Sequence, residues 1–70
     1  FASQLLKKFP KLSQADVQFC TLVRMNLTTK EISILLNIEP RSIYIKKYRT
    51  MEKMGLGDND DFEKVVFEIG

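Results

Sequence analysis

Residues 27–56 read LTTKEISILLNIEPRSIYIKKYRTMEKMGL, and this stretch decides the fold. Thr28 and Glu31 stand three residues apart in front of an apolar run, which is the pattern of a helix-capping box. The pattern predicts a short helix over 28–36. Helical periodicity places three of its side chains on the inward face, namely Ile32, Leu35 and Leu36.

A second, longer helix is predicted over 40–54. Pro40 is favoured at the first position of a helix, and Gly55 is favoured just past the end of one, with Leu56 as its hydrophobic seal. Only Asn37, Ile38 and Glu39 separate the two helices. A short capped helix joined by a tight turn to a long basic helix is typical of a helix-turn-helix.

The flanking sequence predicts further helices and no strand. Ser13 is a preferred N-cap, with the backbone N–H of Asp16 as its donor, and Asn26 tolerates the left-handed conformation that closes a helix. Asp60 or Asp61 caps a last helix that runs to Ile69. The apolar side of that last helix consists of Phe62, Val65, Val66 and Ile69.

These elements predict an all-α fold, a small bundle of four core helices with an N-terminal helical extension. Residues 1–11 are interpreted as that extension or as the tail of an upstream linker, since Pro10 ends its helix. Residues 12–70 are interpreted as the domain itself. A chain of 70 residues has room for one core.

Composition argues against most catalytic and metal sites. The chain has no histidine and one cysteine, Cys20, which removes Ser-His-Asp and Cys-His nucleophiles, zinc sites built on Cys and His, and internal disulfides. We therefore predict a protein that is not an enzyme and needs no cofactor or metal. A lone thiol without a disulfide favours the cytoplasm, and apolar runs of at most three residues speak against a membrane span.

Charge is distributed unevenly along the chain. Residues 40–54 carry five cations against one acid, a net charge of +4, whereas residues 55–70 carry one cation against five acids, a net charge of −4. The basic segment predicts an anionic partner for one face. The acids between residues 58 and 63 are interpreted as helix-capping charges, because Phe62 stands where a calcium loop needs an oxygen ligand.

Residues 12–56 resemble the LuxR/GerE-type helix-turn-helix, the output domain of many bacterial response regulators. The resemblance is carried by runs that share the family's pattern and spacing: Leu12-Ser13 through Asp16, Phe19-Cys20, Leu22-Val23, Leu27-Thr28-Thr29-Lys30-Glu31-Ile32, Leu36, Ile38, Arg41-Ser42-Ile43 and Lys53-Met54-Gly55-Leu56. Tyr44 and Lys46 stand where the family has Lys and His. The family's DNA sequence preference is therefore not implied here.

The resemblance implies sequence-specific binding of double-stranded DNA by a bacterial transcriptional regulator, with the helix 40–54 in the major groove. By correspondence with the family, the base-facing residues are Tyr44, Ile45 and Tyr48. The residues expected at phosphates are Thr28, Thr29, Lys30, Arg41, Ser42, Lys46, Lys47 and Arg49. Related domains pair through the last helix, which makes Phe62, Val66 and Phe67 the candidates for a homodimer on DNA. RNA polymerase and an upstream sensory or receiver domain are further partners that the resemblance implies.

Structural alternatives stay open for each of these residues. The cations of 40–54 are also compatible with a solvated helix face, and Tyr44 and Tyr48 with a partly buried aromatic edge. Thr28 and Lys30 are equally explained as a cap and an exposed lysine. The alternative function is a helical protein-interaction module that binds a transcription partner such as a sigma or anti-sigma factor.

Overall fold

A computed structural model describes residues 1–69, and within them the chain forms five helices and no strand. The helices are α1 (Ala2–Lys8), α2 (Gln14–Arg24), α3 (Thr29–Leu36), α4 (Pro40–Lys53) and α5 (Phe62–Glu68). The predicted all-α bundle with an N-terminal helical extension is confirmed. The boundaries of α3 and α4 lie within one residue of those predicted.

Local side-chain caps start the helices where the sequence predicts. The Thr28 hydroxyl accepts from the Glu31 backbone N–H at 3.2 Å, and the Glu31 carboxylate accepts from the Thr28 N–H at 2.9 Å. Ser13 and Asp16 form the same reciprocal pair at the start of α2. Each pair satisfies two backbone donors that the first turn of a helix leaves without a partner.

Left-handed residues end the helices. Asn26, Asn37 and Gly55 have φ angles of 63°, 55° and 74°. After α4, the Leu56 N–H donates to the Met51 carbonyl at 2.9 Å, which is the long bond of a Schellman motif. Such a turn reverses the chain sharply, so that α5 can return across α2 and α4.

The core is built around α2, which packs against α1 and α5, while α3 packs against α4. The rings of Phe19 in α2 and Phe62 in α5 stack with centroids 5.9 Å apart. Leu5 of α1 is fully buried, so the predicted extension docks and shares the core with the rest of the chain. Ile43 of α4 is 3% exposed, which sets the rotation of that helix.

Some predicted orientations are wrong. Leu35 is exposed rather than inward, because it lies beside the face of α3 that packs on the domain. That face runs through Thr29, Ile32, Ser33 and Leu36. Of the three dimerisation candidates, Phe62 and Val66 are fully buried in the domain's own core, and only Phe67 is accessible to a partner. In so short a chain, the five helices enclose their core only with the side chains of Phe62 and Val66 packed inside it.

Candidate nucleic-acid interface

The outward face of α4 carries the three predicted base-facing residues. Tyr44, Ile45 and Tyr48 are 52%, 46% and 61% exposed. The opposite face contributes Ile43 and Met51 to the core. At 100° per residue, Ile45 and Tyr48 point roughly 160° and 140° away from Ile43, while Tyr44 lies at the border of the two faces, roughly 100° from Ile43. The helix α4 therefore has one anchored side and one accessible side.

Three of the five cations of α4 are paired with acids on other helices. Lys53 Nζ lies 2.6 Å from Asp16 Oδ2, and Lys46 Nζ lies 3.6 Å from Asp16 Oδ1. Lys47 Nζ lies 3.0 Å from Glu63 Oε1 on α5. The predicted phosphate contacts Lys46 and Lys47 therefore serve the packing of α4, and a phosphate has to compete with a carboxylate for either of them.

Asp16 is the centre of this arrangement and is only 4% exposed. Burial alone raises the pKa of its carboxyl, but the hydrogen bond from Lys53 and those from Ser13 outweigh it and lower the pKa to about 2. The carboxylate is thus charged at neutral pH. It joins the start of α2 to the middle and the end of α4.

Arg41 and Arg49 form no ion pair with any residue from 1 to 69 and are exposed. They lie near the two ends of the same outward face as the tyrosines. Arginine presents a planar fork of donors that matches phosphate and guanine edges. Ser42 is exposed beside Arg41, in the first turn of α4, as a contact to phosphate requires.

The start of α3 has a mixed character as a phosphate site. Thr28 and Lys30 are exposed and Thr29 is half-buried. The Thr28 oxygen already accepts the Glu31 N–H, and its O–H donates to the Glu31 carboxylate, so a phosphate has to compete with Glu31 for that donor. Hydrogen bonds from the Thr28 backbone and side chain lower the pKa of Glu31, which keeps a carboxylate at this helix start.

A cleft of about 100 Å³ is lined by residues from the start of α3 and from the outward face of α4. Its rim includes Asn26, Thr29, Tyr44, Lys47, Glu63 and Phe67. This volume is well below that of a typical small-molecule site. The cleft is a feature of the surface that α3, α4 and α5 share.

Other reactive groups serve structural purposes. Cys20 is fully buried, and burial, assisted by the charge of Asp16, raises the pKa of its thiol to about 11. In the acidic turn, Asp61 caps α5 by accepting from the Lys64 N–H, and Asp60 accepts from the Gly57 N–H. Within residues 1–69 no three acidic, histidine or cysteine side chains are grouped as metal ligands.

Three contacts between distant parts of the chain were not predicted from the sequence. Asp16 was predicted only through its backbone N–H, as the donor to Ser13, and the partner of its carboxylate, Lys53, is 37 residues away. Glu63 was predicted only as a capping charge. Arg24 is part of no predicted motif, yet its guanidinium donates to the Val66 and Phe67 carbonyls at the end of α5 and lies over the Phe1 ring, 4.8 Å from its centroid. No local pattern marks contacts across such distances in the chain.

The chain matches no protein-family model, no curated protein and no solved structure. Across residues 1–69, none of the helices has the length and apolar character that crossing a bilayer requires. The chemistry of the α4 surface therefore supplies the basis for a functional proposal.

Proposed function

We propose that this chain binds double-stranded DNA sequence-specifically, with α4 in the major groove, as the output domain of a bacterial transcriptional regulator. The orientation of α4 carries this proposal. Its core-facing side chains are buried while Tyr44, Ile45 and Tyr48 are exposed together on its solvent-facing side. A helix that is anchored on one side and accessible on the other is what the major groove, about 12 Å wide, admits.

The charges on the same face support phosphate contacts. Arg41 and Arg49 are separated by eight residues, about 12 Å along the helix axis. They flank the exposed tyrosines and are not neutralised by a neighbouring acid among residues 1–69. In this proposal the two arginines bind DNA phosphates on either side of the bases that α4 contacts. The helix α3 supports α4 by packing against it.

A duplex-binding titration tests the proposal. The 70-residue chain is titrated against a random-sequence pool of duplexes of about 20 base pairs, two helical turns, at several salt concentrations. We expect affinity to fall steeply with salt, and Arg41→Ala or Arg49→Ala to flatten the log–log slope by about 0.9 for each phosphate that the variant no longer neutralises. Lys64→Ala, which removes an exposed cation on α5, is the matched control and should leave the slope unchanged.

Absence of duplex binding even at low salt would contradict the proposal.

The second candidate, a protein-interaction module for a sigma or anti-sigma factor, is favoured by the composition of the same surface. Exposed Tyr, Ile and Arg side chains are also typical of protein–protein hot spots. Binding that is insensitive to salt and requires a protein partner would select this second function.

A further inference from the structure

We infer that the outward face of α4 selects A·T-rich duplexes through the C5-methyl groups of thymine, with Ile45 as the reader. This inference rests on the proposed function and names the class of DNA that the surface recognises. It follows from which side chains of α4 are exposed to the groove and which are held in ion pairs with other helices.

The helix α4 has few polar side chains that could form paired hydrogen bonds with base edges. The segment 40–53 contains no Asn or Gln, the side chains that form paired hydrogen bonds with adenine. A glutamate can accept a hydrogen bond from the amino group of cytosine, but Glu52 lies in the last turn of α4. In a recognition helix it is the N-terminal part that contacts the bases.

The lysines are withheld from the bases by the fold. Lys46 and Lys53 are held by the buried carboxylate of Asp16, and Lys47 is paired with Glu63 in a more exposed ion pair. To read a guanine edge, each would have to leave its acid. Arg41 and Arg49 are the two arginines of the outward face that form no ion pair within residues 1–69; the proposed function assigns them to phosphates, and they lie near the two ends of that face.

The centre of the face is apolar and aromatic. Ile45 has no hydrogen-bonding group in its side chain, and the residue is 46% exposed, next to Tyr48 and between Arg41 and Arg49 along α4. In the major groove, the one apolar group on a base edge is the thymine methyl. Tyr44 and Tyr48 are about 6 Å apart along the axis, which covers about two base pairs at 3.4 Å per step.

The experiment compares duplexes that differ only in that methyl group. The 70-residue chain is titrated with an alternating dA–dT duplex and with the alternating dA–dU duplex of the same length. Covering one methyl is worth about fourfold in affinity, so we expect at least that preference for dA–dT. Ile45→Ala should reduce the preference to less than twofold. Ile34→Ala, which truncates an isoleucine that is even more open to solvent on α3, should retain it.

The outcomes separate the two levels of the proposal. Equal binding of dA–dT and dA–dU by the unmodified chain would overturn the inference and leave DNA binding intact. A methyl preference that survives Ile45→Ala would overturn the assignment of Ile45 as the reader. Failure to bind any duplex at low salt, a random-sequence pool included, would overturn the proposed function itself.

Discussion

At the scale of the residue, Asp16 shows how one side chain combines local and distant roles. Its carboxylate closes the capping box of α2 and also binds Lys53 and Lys46 of α4. A buried carboxylate is tolerated only when hydrogen bonds and opposite charges compensate for its lost hydration. The ion pairs that compensate for its burial also tie α4 to α2.

This compensation predicts a specific loss of stability in acid. The folded pKa of about 2 lies below the ordinary value of 3.8, so the carboxylate stabilises the fold above about pH 4. That contribution, about 2 kcal/mol, is lost as the pH falls through the folded pKa. Urea unfolding between pH 7 and pH 2 should show this loss in the unmodified chain and not in Asp16→Asn.

Glu63→Gln is the control for Asp16→Asn. It breaks the exposed Lys47–Glu63 pair, which contributes little to stability because both partners are well solvated. Its pH profile should follow that of the unmodified chain. Parallel losses in Asp16→Asn and in the unmodified chain would show that other carboxylates cause the acid sensitivity.

Cys20 provides a second residue-level prediction. Its thiol is fully buried and its pKa is raised to about 11, so the nucleophilic thiolate is scarce at pH 8. We expect a chromogenic disulfide reagent to react with Cys20 only as fast as the fold opens, and immediately in denaturing urea. Rapid stoichiometric labelling of the folded chain would contradict the burial of this side chain.

At the scale of the element, α1 contains two adjacent leucines, one in the core and one on the surface. Leu5 is fully buried against α2, whereas Leu6 is 41% exposed. Leu5→Ala should lower the free energy of unfolding by about 2–5 kcal/mol, because it opens a cavity in the core. Leu6→Ala should change it by about 0.5 kcal/mol, which is typical of a surface position.

Urea unfolding of the two variants makes this comparison, since they delete the same atoms from the same helix. Equal losses would mean that α1 does not dock in a fixed orientation. A large loss for Leu5→Ala alone would establish that residues 1–11 are needed for the stability of residues 12–69. Helix propensity cancels in the comparison, because both changes replace Leu by Ala.

At the scale of the whole molecule, α5 is both a lid on the core and a candidate surface for pairing. Phe62 and Val66 close the bundle, while Phe67 is 45% exposed at the cleft that Tyr44 also lines. One exposed ring offers too small an area for a stable dimer in solution. We therefore predict that the chain is monomeric alone and pairs only on DNA with two half-sites about one helical turn apart.

Phe67→Lys tests this prediction, because it places a charge where the second copy would pack. Sedimentation should find a monomer with or without the change. Gel-shift titrations should find unchanged binding to one half-site and no cooperativity on two. Leu35→Lys, on the exposed side of α3, is the control and should keep the cooperativity. Cooperativity that survives Phe67→Lys would show that α5 is only a lid.

The sequence by itself determined the helices and their ends. The caps at Ser13 and Thr28 and the turns at Asn26 and Gly55 depend on hydrogen bonds that span at most five residues. Such interactions are visible as short patterns, so the all-α bundle could be predicted before its packing was known. The exposure of Tyr44, Ile45 and Tyr48 on α4 was expected from the resemblance to the helix-turn-helix family, not from periodicity alone.

Only the tertiary structure decided which charges remain available on α4. The partners Asp16 and Lys53 are 37 residues apart, and no short pattern links them. The burial of Phe62 and Val66 and the exposure of Leu35 likewise depend on which helices meet. Periodicity shows that a helix has an apolar side, but the partner of each side chain is set only when all five helices pack together.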